Sequence, residues 1–251
     1  MSAINEDISL KETVKIILET CNHSDLAEIF IFVGLNATDG CLEVLKEIQS
    51  GSDVPVNLFY QTYKGPGANW NEIFEMFKGT HIVTVAADGE LDPYQLSEFI
   101  ELSKASPDYI IIGSRKLGKN GFKGYNFLKK CLNMFAGIFL RILYGTKRTE
   151  FTQPFFAGPA EVFSAIRWEE QFHPIFMEMM LKPLRLNIKA REIPTEWQKR
   201  SDGKPNRNVF YFLPYLKTAF RIRFMKKSSI LKQGKHIPEK YTEYKKGDNK
   251  R

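Results

Sequence analysis

The chain has 251 residues, 43% of them hydrophobic, which is enough to bury the core of one large α/β domain with or without an appendage. A formal net charge of +7 favours anionic partners: nucleotide phosphates, an anionic membrane face or nucleic acid. Cys21, Cys41 and Cys131 form neither a metal-spaced pair nor a disulfide framework, which fits a reducing cytosol. No signal peptide or spanning segment is expected, since the longest apolar candidate is broken by Arg141.

The first 80 residues alternate helical and strand patterns. Thr13, Val14, Ile16, Ile17 and Leu18 make a helical face behind the acids Glu6 and Asp7. Residues 28–33 read as a buried strand. Residues 36–40 then combine turn and N-cap chemistry ahead of a helix whose apolar face is Leu42, Val44, Leu45 and Ile48. Residues 54–60 read as a further strand, followed by the glycine-bearing loop Lys64-Gly65-Pro66-Gly67-Ala68 and a helix over 69–77. Strand, glycine turn and helix in repetition imply a parallel sheet with crossover helices. The Gly-Pro-Gly loop fits either a phosphate cradle or an ordinary turn.

Residues 81–86 have the length and β-branched content of a buried strand, and they stop at three acids, Asp88, Glu90 and Asp92, followed by Pro93. Carboxylates gathered where a strand of an α/β sheet ends lie where such folds bind ligands, and hard oxygens there suit Mg²⁺ or Mn²⁺ holding a diphosphate. The alternative is a solvated turn that caps the next helix, because Asp92 before Pro93 is also good N-cap chemistry. After a helix over 94–103, residues 109–112 read as a strand ending in Gly113-Ser114-Arg115. Arg115 at that exit suits a phosphate or the neighbouring acids; plain surface charge is the other possibility.

In this order the motifs resemble a family-2 glycosyltransferase of the GT-A fold, in the branch that includes dolichyl-phosphate mannose synthase. Residues 2–6 resemble that family's opening Pro-Ala-Tyr-Asn-Glu, residues 36–40 its Gly-Ser-Thr-Asp-Gly turn, and residues 64–68 its Lys-Gly-X-Gly loop. Asp88-Gly89-Glu90 stands at the metal motif and Gly113-Ser114-Arg115 at the strand-end Gly-Ser-Arg. Thr149-Glu150 stands where many members have Thr-Asp, and Glu192-Ile193-Pro194 with Arg200 and Gly203 resembles the late signature. The resemblance covers roughly residues 2–225, and seven weak motifs in order weigh more than any one of them.

The resemblance implies a three-layer, mostly parallel sheet and inverting transfer of a sugar from a nucleotide-diphospho-sugar. The acceptor would be a lipid phosphate or a glycan in cell-envelope synthesis, with no nucleic-acid partner. It places Ala3, Glu6, Lys64, Gly65, Gly67, Asp88 and Arg115 at the donor, Mg²⁺ or Mn²⁺ on Asp88 and Glu90, and Glu150 and Arg200 at the chemistry. Glu150 is expected to act as base or acceptor-positioning group; a surface salt bridge with Arg148 or Lys147 is its alternative.

Three departures stand against this pattern. The chain starts at the end of the family's first strand, so a central strand is expected to be missing. Gly34 and Leu35 replace an acid pair that commonly holds the nucleoside, and neither side chain accepts a hydrogen bond. Ala86 replaces the first acid of the metal motif, which weakens metal binding and motivates the alternative of a degraded, non-catalytic nucleotide or partner binder.

The second half carries apolar residues at helical spacing over 127–143, and Phe212, Leu216, Phe220 and Phe224 repeat the device over 212–224. Lys129, Lys130, Arg141, Lys217 and Arg221 flank these faces. Either both faces pack on the domain or they lie at an anionic membrane surface, which would make the protein cytoplasmic and peripheral on the inner face of the plasma membrane. Residues 226–251, rich in Lys and Glu, are expected to be a solvated tail beyond a domain over 1–225.

Overall fold

The structure, a computed structural model, describes residues 1–3, 6–119, 121, 127–197 and 212–243. Two parallel-strand groups form its middle layer. β1 (Ser2–Ala3), β2 (Ile29–Val33) and β3 (Val56–Tyr60) pair in that order, all parallel. β4 (His81–Val83), β5 (Ile110–Ser114), β6 (Phe156–Pro159) and β7 (Ala190–Pro194) pair in the order β4-β6-β5-β7, where only β6 runs against its neighbours.

Hydrogen bonding thus divides the expected sheet at β1, because that strand is two residues long. The expectation of a missing first strand is corrected to this extent: the remnant continues a parallel ladder. The Met1 ammonium donates to Phe30 O (2.9 Å), Phe32 N–H to Met1 O (2.8 Å) and Gly34 N–H to Ala3 O (2.8 Å).

Alternation along the strands builds two cores. Ile29, Ile31, Val33, Ile111 and Ala157 face α1 (Ile8–Thr20), α2 (Asp39–Gly51) and α4 (Leu96–Ala105), which supply Leu10, Val14, Leu45 and Phe99. Phe32, Ile110, Ile112 and Phe156 face the other layer. There α3 (Trp70–Met76), α6 (Ala160–Ala165), α7 (Pro174–Arg185) and α9 (Lys227–Ile230) supply Phe74, Phe163, Met179 and Ile230. The first core contains residues of both strand groups, so packing joins what hydrogen bonding leaves apart.

α5 (Phe127–Tyr144) and α8 (Leu213–Phe224) stand beyond these layers. They meet α7 in a third cluster of Leu140, Met177, Leu181, Ala219 and Ile222. Their outer faces are apolar and open: Phe135, Ile142 and Phe224 are 63%, 77% and 73% exposed. No helix among the described residues is long and apolar enough to cross a membrane.

The expected solvated tail is corrected as far as residue 243. Ile230 and Tyr241 are buried, isolated bridges join Leu231 to Ile166 and Thr242 to Ile188, and the Tyr241 hydroxyl donates to Glu161 (2.9 Å). Few aliphatics suffice here because each enters a slot in the second core. Residues 244–251 lie outside the described residues.

Candidate functional site

Three of the sequence motifs lock into one node at the carboxyl ends of β5 and β7. Ser114 Oγ is 2.6 Å from Thr149 Oγ1. Arg115 grips Glu150 from two sides, Nη2 to Oε1 at 2.6 Å and Nε to Oε2 at 2.9 Å. The Glu192 carboxylate accepts the backbone N–H groups of Thr149 (2.8 Å) and Glu150 (2.7 Å). Register brings them together, because β5 and β7 pair Ile112 with Glu192 and Ser114 with Pro194. Gly113 sits in tight packing, as a Cβ there would lie 3.2–3.3 Å from the side chains of Phe99, Thr195 and Phe155.

Glu150 is buried in this node, and its Oε1 also accepts N–H from Phe151 (3.1 Å), Thr152 (3.0 Å) and Gln153 (3.2 Å). Burial pushes its carboxyl up, but the Arg115 guanidinium and these N–H groups outweigh burial and hold it below the usual carboxylate range. With both oxygens hydrogen-bonded, Glu150 holds Arg115 in place. Its ion-pair partner is Arg115; the alternative of a surface pair with Arg148 or Lys147 does not hold.

The acid turn after β4 divides between the two readings open to it. Asp92 caps the next turn by accepting Tyr94 N–H (3.1 Å). Asp88 Oδ1 accepts Glu90 N–H (3.0 Å) across Gly89, whose φ of 72° favours glycine. Both side chains are half-buried, and an antiparallel bridge from Leu91 to Trp197 ties the turn to the segment after β7. No cluster of three or more acids, histidines or cysteines suited to a metal occurs among the described residues. One turn offering two carboxylates fits Mg²⁺ or Mn²⁺ shared with a substrate diphosphate, since Mg²⁺ sites commonly use one or two carboxylates plus phosphates.

The Gly-Pro-Gly loop packs against the backbone of residues 170–171. Gly67 N–H donates to Gln171 O (2.8 Å), and Gln171 Nε2 donates to Lys64 O (2.9 Å). A Cβ on Gly65 would come 2.3 Å from Gln171 O, and one on Gly67 2.0 Å from Glu170 O. Close approach of two backbones therefore accounts for both glycines, and the Gly67 N–H donates to Gln171 O. Lys64 itself is exposed.

Among the remaining expected site residues, Ala3 is buried with its carbonyl paired to Gly34, and Glu6 is half-buried just before α1. Arg200 and Gly203 lie outside the described residues. One side chain, Lys116, was not singled out in the sequence. Lys116 lies against α5 at Gly137, where a Cβ would meet its Nζ at 1.7 Å, and burial lowers its ammonium pKa despite Glu150. Gln153 is buried with neither side-chain amide atom hydrogen-bonded. Gly137 within an apolar helix was the one available hint of Lys116, whereas Gln153 heads the segment 153–158 that sequence sets beside the acceptor.

Similar folds occur among solved structures. Glucosyl-3-phosphoglycerate synthase from Mycobacterium tuberculosis, solved with Mn²⁺, UDP and phosphoglyceric acid, superposes with a TM-score of 0.64 at 11% identity, over 90% of this chain and 78% of that one. The same enzyme with Mn²⁺, UDP-glucose and phosphoglyceric acid gives 0.62 at 11% identity over 90% and 79%. These likenesses identify the three-layer GT-A fold. Residues 1–167 match the family described as Glycosyl transferase family 2. The chain belongs to glycosyltransferase family 2.

Proposed function

We propose that the protein moves a sugar, with inversion, from a nucleotide-diphospho-sugar to a lipid-phosphate acceptor at the inner face of a membrane, in cell-envelope glycan synthesis. The Arg115–Glu150 pair carries this reading. The carboxylate expected to deprotonate an acceptor hydroxyl is committed to Arg115, and a phosphate acceptor is already an anion that needs no base. The neighbouring cations Lys116 and Arg141 suit such an acceptor, and the open apolar faces of α5 and α8 suit its lipid.

On the donor side, Asp88 and Glu90 would hold the divalent cation, and Lys64, Arg115 and Arg200 would balance the diphosphate. A bound Mg²⁺ or Mn²⁺ supplies positive charge to the leaving diphosphate. Solved neighbours contain UDP-glucose, Mn²⁺ and a phosphoglyceric acid acceptor, which supports the donor class and an anionic acceptor. Ala86 favours a second reading, a nucleotide binder without turnover.

The test is transfer itself. Full chain, Mn²⁺ and labelled nucleotide sugars are incubated with vesicles containing a polyprenyl phosphate. Label moving into the lipid phase from one donor is expected; bound nucleotide with no transfer from any donor selects the second reading.

The chain is also expected to sediment with anionic vesicles at low salt and to be partly released by salt. Each basic residue near the surface contributes about 1 kcal/mol, while inserted aromatics persist. The cations that matter are the exposed Lys130, Lys217, Lys226 and Lys227. Arg221, expected from sequence to flank the membrane face, is turned inward to Glu169 and Glu170. Charge reversal of those four lysines should therefore reduce sedimentation at low salt more than Phe220→Ala. Wild type remaining in the supernatant at low salt would place both faces against protein.

A further inference from the structure

α8 and the 64–68 loop are joined by a continuous set of polar contacts. Glu178 and Lys182, one helical turn apart on α7, are both 0% exposed and 2.7 Å from each other. Glu178 Oε2 accepts the backbone N–H groups of Glu169 (3.0 Å) and Glu170 (2.8 Å), fixing that segment to α7. From α8, Arg221 reaches Glu169, Glu170 (2.8 Å) and Glu178 (3.4 Å), and Thr218 donates to Glu170. The same segment touches the 64–68 loop backbone to backbone, through Gly67 N–H to Gln171 O and the side-chain-free contacts at Gly65 and Gly67.

A guanidinium fork on three carboxylates has one good geometry, and a close-packed backbone contact leaves no slack. Loosening of α8 thus loosens residues 169–171 and the loop behind them. The exposed side of α8 presents Phe220 and Phe224 beside Lys217, the face assigned above to an anionic bilayer.

We propose that α8, residues 169–171 and the 64–68 loop act as one unit closed by Arg221, so that an anionic lipid surface and a nucleoside diphosphate strengthen each other's binding. The proposal rests on the donor and membrane assignments made above and adds the energetic link between them. Ordering by one ligand lowers the ordering cost of the other, and the coupling is reciprocal. Arg221 is here a positioning residue, acting through Glu170 and Gln171 on the loop.

The test uses the full chain, UDP with Mn²⁺, and vesicles of phosphatidylglycerol and phosphatidylcholine. UDP affinity should rise about five-fold when vesicles are present, and vesicle affinity should rise by the same factor with UDP and Mn²⁺. The Gly67 amide should exchange more slowly on vesicle binding alone. Arg221→Gln should remove the coupling, Arg221→Lys should retain part of it, and Gln171→Ala, an exposed substitution that releases only the Lys64 contact, should weaken it without changing thermal stability. UDP and vesicles that both bind, but independently, overturn the proposal alone. Failure to bind UDP in either state overturns it together with the donor-site reading, and failure to bind vesicles overturns it together with the membrane reading.

Discussion

Glu150→Gln is expected to cost about 3–5 kcal/mol of stability, because removing one partner of a buried ion pair strands the other charge. The stranded group is Arg115, which is 8% exposed and gives up its bidentate contact. The backbone N–H groups of Phe151, Thr152 and Gln153 would also meet a weaker, neutral acceptor. Urea denaturation measures the loss. A catalytic base with no positioning task would give the opposite pattern, unchanged stability with lost turnover. Acid should reproduce part of the effect in wild type. The native carboxyl titrates below its ordinary value, so its contribution is present above that value and lost as pH falls through the native one.

In the chain that begins at Met1, stability should rise by about 4 kcal/mol between pH 5 and pH 8 through the terminal amine alone. Burial lowers that amine from 8.0 to about 5. Between those values the unfolded chain binds a proton that the folded chain has released, so stability grows with pH; below about 5 both states are charged and the full cost of burying the ammonium remains. His23 works the other way. Leu18 O and Asp53 raise its pKa, and the resulting stabilisation fades as pH rises through the native value. Comparing the free amine with an Nα-acetylated chain isolates the Met1 contribution, since acetylation leaves His23 untouched and keeps an N–H for Phe30 O. Equal pH profiles in the two chains would mean that the amine is solvated in the folded state.

The two buried groups also show where sequence was legible. Gly113-Ser114-Arg115, Thr149-Glu150 and Glu192-Ile193-Pro194 could each be picked out in order, and the strands and helices up to residue 114 follow from period and turn chemistry. That the three motifs bind one another could not be read, because it depends on the pairing of β5 with β7 and on chain separations of 35 to 43 residues. β6 was hidden for a local reason. Phe156–Pro159 ends in Gly-Pro, and glycine is favoured at 158 because a Cβ would lie 2.9 Å from the Phe163 ring.

Residues 65 and 67 carry a constraint that sequence does not display. Glycines beside a lysine look like a phosphate cradle, while the constraint here is a backbone more than 100 residues away. Glu178 and Lys182 look like an ordinary i, i+4 surface pair, and only the packing of α7 beneath α8 and residues 167–170 buries them. The acid turn was legible as three carboxylates at a strand end. Asp92 proved to be the cap, while Asp88 and Glu90 stand half-buried in the turn itself.

Those two carboxylates carry the central claim, that a nucleoside diphosphate with a divalent cation binds at the end of β4. Titration of wild type and Asp88→Asn with UDP in Mn²⁺ addresses it most directly. Asparagine keeps the Oδ1 acceptor for Glu90 N–H, so the turn survives while the charge goes. Binding is predicted to weaken by about 1.5–3 kcal/mol in Mn²⁺, the range for losing a charge-assisted contact, and to change little in chelator. Identical affinities for wild type and mutant in Mn²⁺ would contradict the account and remove Asp88 from the site.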